Sequence, residues 1–182
     1  ESHGLRLYGG FSSIESIQGN IIRYQTPEFE LKEIEFGGKT FVRPIMKESG
    51  TVAAVGQPYL PSTSTYYAID PGTSYGVNVT ILSSETIQNV DIQPVMGWDL
   101  EESNNQIPND NQYDVNEFFP AEIVSVSDPI IFRELTLLQV TMTPFQYNPV
   151  TKELVVIHQV DIELVENGNY ELPFVPARRS RA

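Results

Sequence analysis

Six carboxylates and five asparagines fall between Met96 and Glu117, with no lysine or arginine among them. Asp99, Glu101, Asp110 and Asp114 in that stretch are hard oxygen donors of the kind Ca²⁺ takes. Their spacing does not follow the EF-hand loop, and the glycine expected at its sixth position is missing. A solvated acidic loop is therefore the simpler reading, and a calcium site the weaker alternative. Groups for covalent or acid–base chemistry are scarcer still. The chain has no cysteine, which removes a thiolate nucleophile, a thiolate metal site and any disulfide. Of its two histidines, His3 lies at the terminus and His158 sits among isoleucine and valine, where a sheet or core role outweighs a general base. No serine occupies a Gly-x-Ser-x-Gly elbow, and no phosphate loop, zinc spacing or dinucleotide fingerprint is present. The expectation is a chain with no catalytic activity of its own, no cofactor and no metal.

The elements that would position the acidic stretch read as strands. Amphipathic helical periodicity is nearly absent. Short runs of Val, Ile, Thr, Tyr and Phe alternate with Gly, Pro, Asn and Ser punctuation. Phe29–Phe36 is one strand, with a phase slip that predicts a bulge near Lys32-Glu33. Gly37-Gly38 suits a two-residue hairpin turn, and Thr40–Ile45 is the return strand. Gly56-Gln57-Pro58-Tyr59-Leu60-Pro61 is stiff extended chain, because proline restricts itself and its predecessor. Thr63–Ile69 and Tyr75–Leu82 are strands split by an Asp70-Pro71-Gly72 turn. Ile87–Val95, Ala121–Ser127, Ile130–Leu135, Leu137–Thr143 and Leu154–Val165 complete the set. In the last, Val156, His158, Val160, Ile162 and Leu164 share a face. Each of the doublets Tyr66-Tyr67 and Phe118-Phe119 should send one ring inward and the other outward.

These strands predict an all-β fold, an antiparallel β-sandwich of jelly-roll type with about ten strands. One domain should occupy residues 1–170, with 96–117 as a long acidic loop. Residues 171–182, with Pro173, Pro176 and three arginines, read as a C-terminal linker. A loop of that length inside a compact domain is either functional or without order.

The net charge of −13 on 182 residues disfavours nucleic acid and anionic membrane surfaces as partners. No apolar run approaches the ~20 residues of a membrane helix. The chain begins at Glu1 with no basic-then-apolar leader, so either a processed fragment or a trimmed piece of a longer chain is expected, with any signal peptide already gone. Charge is unevenly placed. No Lys or Arg occurs from Glu48 to Phe132, whereas Arg178, Arg179 and Arg181 crowd the tail. Such a chain offers an Arg- or Lys-specific protease nothing in its middle and three targets at its end.

Phe118-Phe119-Pro120-Ala121-Glu122-Ile123, Ser127-Asp128-Pro129-Ile130 and Phe145-Gln146-Tyr147-Asn148-Pro149-Val150-Thr151-Lys152, followed by an apolar strand, occur in an order that resembles the propeptides of gingipain-type cysteine proteases, peptidase family C25. Gly56–Pro61 followed by a strand resembles them over a shorter match. The resemblance implies a β-sandwich that covers the cleft of a protease catalytic domain, helps it fold and keeps it latent until proteolysis. The partner would be a C25-type catalytic domain downstream in the same polypeptide. In Arg-specific members, the loop before Phe-Phe-Pro puts an arginine in the specificity pocket. By position that loop is Met96–Glu117 here, and it has no basic residue. The binding residues carried over are Trp98, Asp99, Leu100, Glu101, Glu102, Asn104 and Asn105. Asp99, or Asn104 and Asn105, would enter the pocket, with Trp98 and Leu100 as apolar anchors. Arg178, Arg179 and Arg181 form the expected processing region.

Two other classes fit the residues taken alone. One is a carbohydrate- or calcium-binding β-sandwich module of an exported enzyme. The other is a stand-alone surface or adhesion domain.

Overall fold

The alternation of β-branched and aromatic residues with polar ones resolves into two antiparallel sheets packed face to face. The computed structural model describes residues 6–8, 14–18, 20–96 and 111–171. Among these are twelve strands and one short 3₁₀ turn, Asn111–Asp114. The first sheet has the order β1 (Arg6–Tyr8), β6 (Thr63–Ile69), β10 (Leu135–Met142), β8 (Val124–Val126), and β9 (Ile130–Phe132) also pairs with β10. The second is organised around β12 (Glu153–Asn169). On one edge β12 carries β11 (Phe145–Asn148) and β3 (Ile21–Gln25), with β2 (Ile14–Gln18) outside β3; on the other it carries β7 (Thr73–Ile87). β4 (Phe29–Phe36) and β5 (Lys39–Met46) form a separate hairpin.

Period-two burial explains why the sheets meet. Leu138, Val140 and Met142 of β10 point inward with Tyr67 and Ile69 of β6. They meet Ile22 and Tyr24 of β3 and Val160, Ile162 and Leu164 of β12. Each such side chain, fully buried, contributes roughly 1.5–3 kcal/mol. A second cluster joins Phe145 and Tyr147 of β11 and Leu154 and Val156 of β12 to Met46, Leu60, Val90 and Ile92. It extends the core toward the hairpin and the start of the acidic loop. Phe29 meets Phe145 edge to face, with ring centroids 5.1 Å apart.

The doublets divide as expected. Tyr67 is fully buried and Tyr66 is 39% exposed, while Phe119 packs on the second cluster and Phe118 faces out. Gly37 and Gly38 take φ values of 59° and 75°, the left-handed pair that a tight hairpin turn requires.

Several expectations need correction. β4 and β5 pair without interruption from Phe29↔Met46 to Phe36↔Lys39, so there is no bulge at Lys32-Glu33. Both faces of β4 are partly covered, with Phe29, Leu31, Ile34 and Phe36 all half-buried. The bulge lies elsewhere. Between Ile157↔Ser84 and Val160↔Ile81 the register shifts twice, first by an extra residue on β12 and then by one on β7. His158 therefore leaves the face of Val156 and Val160 and projects outward, 41% exposed. The Tyr75–Leu82 strand runs from Thr73 to Ile87. Of the expected Ile87–Val95 strand, Ile87 ends β7 and residues 88–95 are extended chain held by isolated bridges. Ile130–Leu135 breaks at Arg133, whose φ of 58° makes the turn into β10.

Candidate functional site

The acidic stretch is entered and left through two described segments, residues 88–96 and 111–120. Its outgoing leg leaves β7 at Ile87 and runs between two neighbours. On one side the Val42 amide donates to the Asp91 carbonyl at 2.7 Å, and the Gln93 amide donates back to Val42 at 2.9 Å. On the other side the Tyr59 amide donates to Gln93 at 2.8 Å, and the Val95 amide donates to Gln57 at 2.8 Å. The Gly56 amide in turn reaches the Val95 carbonyl at 2.8 Å. The stiff Gly56–Pro61 segment is thus a brace for the leg. The Gln93 side chain is buried, and its Oε1 accepts from Arg43 Nε at 2.8 Å. Arg43 also lies over the Tyr59 ring, 4.6 Å from its centroid. Lys152 Nζ contacts Asp91 Oδ2 at 2.8 Å on the exposed side.

The return leg begins at the 3₁₀ turn. Asn148 Nδ2 donates to Asn116 Oδ1 at 2.9 Å. Phe119 and Tyr147 exchange two backbone hydrogen bonds of 2.9 and 2.8 Å. Gln146 Nε2 donates to the Pro120 carbonyl at 2.8 Å. The Phe-Phe-Pro motif is therefore the seam where the returning chain rejoins β11.

Two tyrosines tie the legs together. Tyr147 Oη donates to the Val90 carbonyl at 2.9 Å, and Tyr113 Oη donates to the Ile92 carbonyl at 2.8 Å. Their rings lie 6.3 Å apart. Burial raises both phenols above their ordinary value of 10.0, Tyr147 to about 12 and Tyr113 further. Both therefore stay protonated donors at any physiological pH. Sequence reasoning missed this clamp. Tyr147 was readable only as part of a turn motif and Tyr113 only as a residue in the loop.

Of the residues expected to act, Trp98, Asp99, Leu100, Glu101, Glu102, Asn104 and Asn105 lie outside the described residues, as do Asp110, His3, Arg178, Arg179 and Arg181. Asp114 is described and ends the 3₁₀ turn. Among the described residues no group of three or more His, Cys, Asp or Glu is placed to hold a metal ion. His158 Nε2 lies 3.1 Å from Glu85 Oε1 across the bulge, an exposed ion pair when the ring is protonated.

The described residues form a β-sandwich that holds the chain firmly on both sides of the acidic stretch. The chain belongs to the family of C25 cysteine protease propeptides: the family model Propeptide_C25 matches residues 12–171. It is 30% identical over 151 residues to gingipain R2 of Porphyromonas gingivalis, covering 78% of this chain and 20% of that one. It is 29% identical over 162 residues to gingipain R1 of the same species, covering 85% and 16%. The chain thus spans about a fifth of the length of these relatives. Among solved structures, it is similar to the complex of P. gingivalis RgpB pro- and mature domains, with a TM-score of 0.70 and 24% identity over 97% of this chain and 91% of that one. It is also similar to a structure describing zymogenic latency of gingipain K from P. gingivalis, with a TM-score of 0.64 and 19% identity over 90% and 92%. At those identities the two structures speak for the fold. The chain is a non-catalytic prodomain of a cysteine protease family.

Proposed function

We propose that this chain is the inhibitory and folding-assisting prodomain of a gingipain-like C25 cysteine protease. It covers the protease active site and keeps the enzyme latent until proteolysis removes it. The catalytic domain follows in the same polypeptide, and the whole protein is exported. The observation that carries this reading is the clamp on the acidic loop: Tyr113 and Tyr147 hold its two legs together at Ile92 and Val90. A loop with fixed ends meets a cleft with less ordering cost than a free one. The pro- and mature-domain complex known for RgpB supports a catalytic domain as partner.

In this reading residues 96–117 enter the cleft, with Asp99, or Asn104 and Asn105, directed at the specificity pocket and Trp98 and Leu100 beside it. Because the loop has no basic residue, the target protease either takes an acidic or amide side chain or is blocked without its pocket being filled. Arg178, Arg179 and Arg181 in the 171–182 linker are the release region. The folded domain resists cutting because its middle, from Glu48 to Phe132, offers no basic residue.

The test is to add the purified chain to the mature protease encoded beside it and follow peptide hydrolysis. Saturable loss of activity at about one equivalent is expected. Undisturbed turnover in excess prodomain overturns the reading.

A further inference from the structure

We infer that the loop is not the whole contact surface, and that the turn at Thr51–Gly56 is a second, apolar contact with the same protease catalytic domain. This rests on the prodomain reading above and names a surface that reading does not.

The turn is built rather than slack. Gly50 and Ser62 exchange two backbone hydrogen bonds, of 3.0 and 2.9 Å, which close its base. The Gln57 amide donates to the Ala54 carbonyl at 3.0 Å, and Gly56 has φ of 89°, the geometry of a type II turn with glycine at its third position. The Gln57 side chain accepts from the Ala54 amide at 2.8 Å and locks the turn again. Val55 occupies the turn's second position, 53% exposed, and Val52 is 68% exposed. These are large exposures for valine on an ordered segment, and every residue from Ser49 to Gln57 is uncharged in a chain of net charge −13.

Its place indicates the occupant. The Gly56 amide is bonded directly to Val95, the last part of the outgoing leg before the loop. On the return leg Val115 and Phe118 are 38% and 37% exposed. Exposed apolar side chains therefore flank both roots of the loop that the proposed function sends into the cleft. Whatever the loop enters must lie against its roots. A surface that is apolar, uncharged and pre-ordered fits the buried centre of a protein interface. The complementary surface is an apolar ledge beside the protease cleft.

The experiment uses the full chain with mature protease in trans. Val52→Ser/Val55→Ser is compared with Val55→Lys and with Phe132→Ser, which is 56% exposed on the β9–β10 hairpin at the far end of β10. Inhibition at least tenfold weaker for both turn variants, with Phe132→Ser and all melting temperatures unchanged, supports the second contact. Unchanged inhibition by the turn variants overturns it and leaves the prodomain reading intact. Equal weakening in Phe132→Ser, or a matching fall in melting temperature, also overturns it, because the effect is then not local. Failure of the unmodified chain to inhibit removes both.

Discussion

Tyr113 Oη donates to the Ile92 carbonyl at 2.8 Å, between positions 21 apart in the sequence. Ile92 is fully buried, so its carbonyl cannot turn to bulk water if the donor is lost. Tyr113→Phe should destabilise the domain by about 1–3 kcal/mol, the usual cost of leaving a buried acceptor unpaired. Chemical denaturation of the variant measures it directly. A stability equal to that of the parent would mean that the clamp is not closed in solution.

Replacement of Trp98–Glu102 by Gly-Ser should weaken inhibition of the cognate protease at least tenfold, equivalent to about 1.4 kcal/mol. The melting temperature should stay put, since the roots are held by Tyr113, Tyr147 and the Gly56–Pro61 brace. Inhibition constants and melting curves on the same sample test both halves.

Alkaline pH should loosen the domain through its buried phenols. A tyrosine whose pKa is raised by folding contributes stability that is intact below the ordinary value of 10.0 and declines as pH rises through the folded value. For Tyr147 that window runs from pH 10 to about 12. Burial shifts Tyr67 and Tyr113 the same way. The melting temperature should fall across this range, and Tyr147→Phe should flatten the fall.

Tyr67→Phe should go in the opposite direction from Tyr113→Phe. Tyr67 is fully buried between the sheets, and among the described residues its hydroxyl has no hydrogen-bond partner. Removing an unpaired buried hydroxyl relieves a desolvation cost of about 1–3 kcal/mol. The variant should melt at or above the parent temperature, and a clear loss of stability would reveal a partner for that oxygen.

Calcium separates the prodomain from the calcium-binding module. With Asp99, Glu101, Asp110 and Asp114 acting as a solvated acidic loop, micromolar Ca²⁺ should leave the melting temperature unchanged. A large rise would assign those carboxylates to a metal, since a ligand at 100 times its Kd stabilises by about 2.7 kcal/mol.

Where one face of a strand is buried and the other wet, the sequence pattern was enough. Thr63–Ile69 has its expected bounds, and Leu138, Val140 and Met142 all point into the core. Gly37-Gly38 announced its turn because few other residues accept that backbone. The pattern failed where both parities are apolar. Val155, Val156 and Ile157 give alternation no phase to hold, and the register shift beside them placed His158 on the wrong face. Between Gln88 and Val95, Val90 and Ile92 are both buried as alternation predicts, but isolated bridges and single hydrogen bonds hold the chain there rather than a ladder. The Phe-Phe-Pro seam was legible from its motif. The clamp was not, because a phenol bonded to a distant carbonyl leaves no periodicity in the chain.

The strand order carries one more consequence. Every strand from β8 to β12 follows the acidic loop in sequence, yet β10 pairs with β6, and β12 pairs with both β3 and β7. A single backbone nick inside residues 97–110 would thus yield two fragments already interleaved through both sheets. They would stay joined without a peptide bond, much as complementing fragments reassemble. Cut once between β7 and β8, such a domain would remain one body.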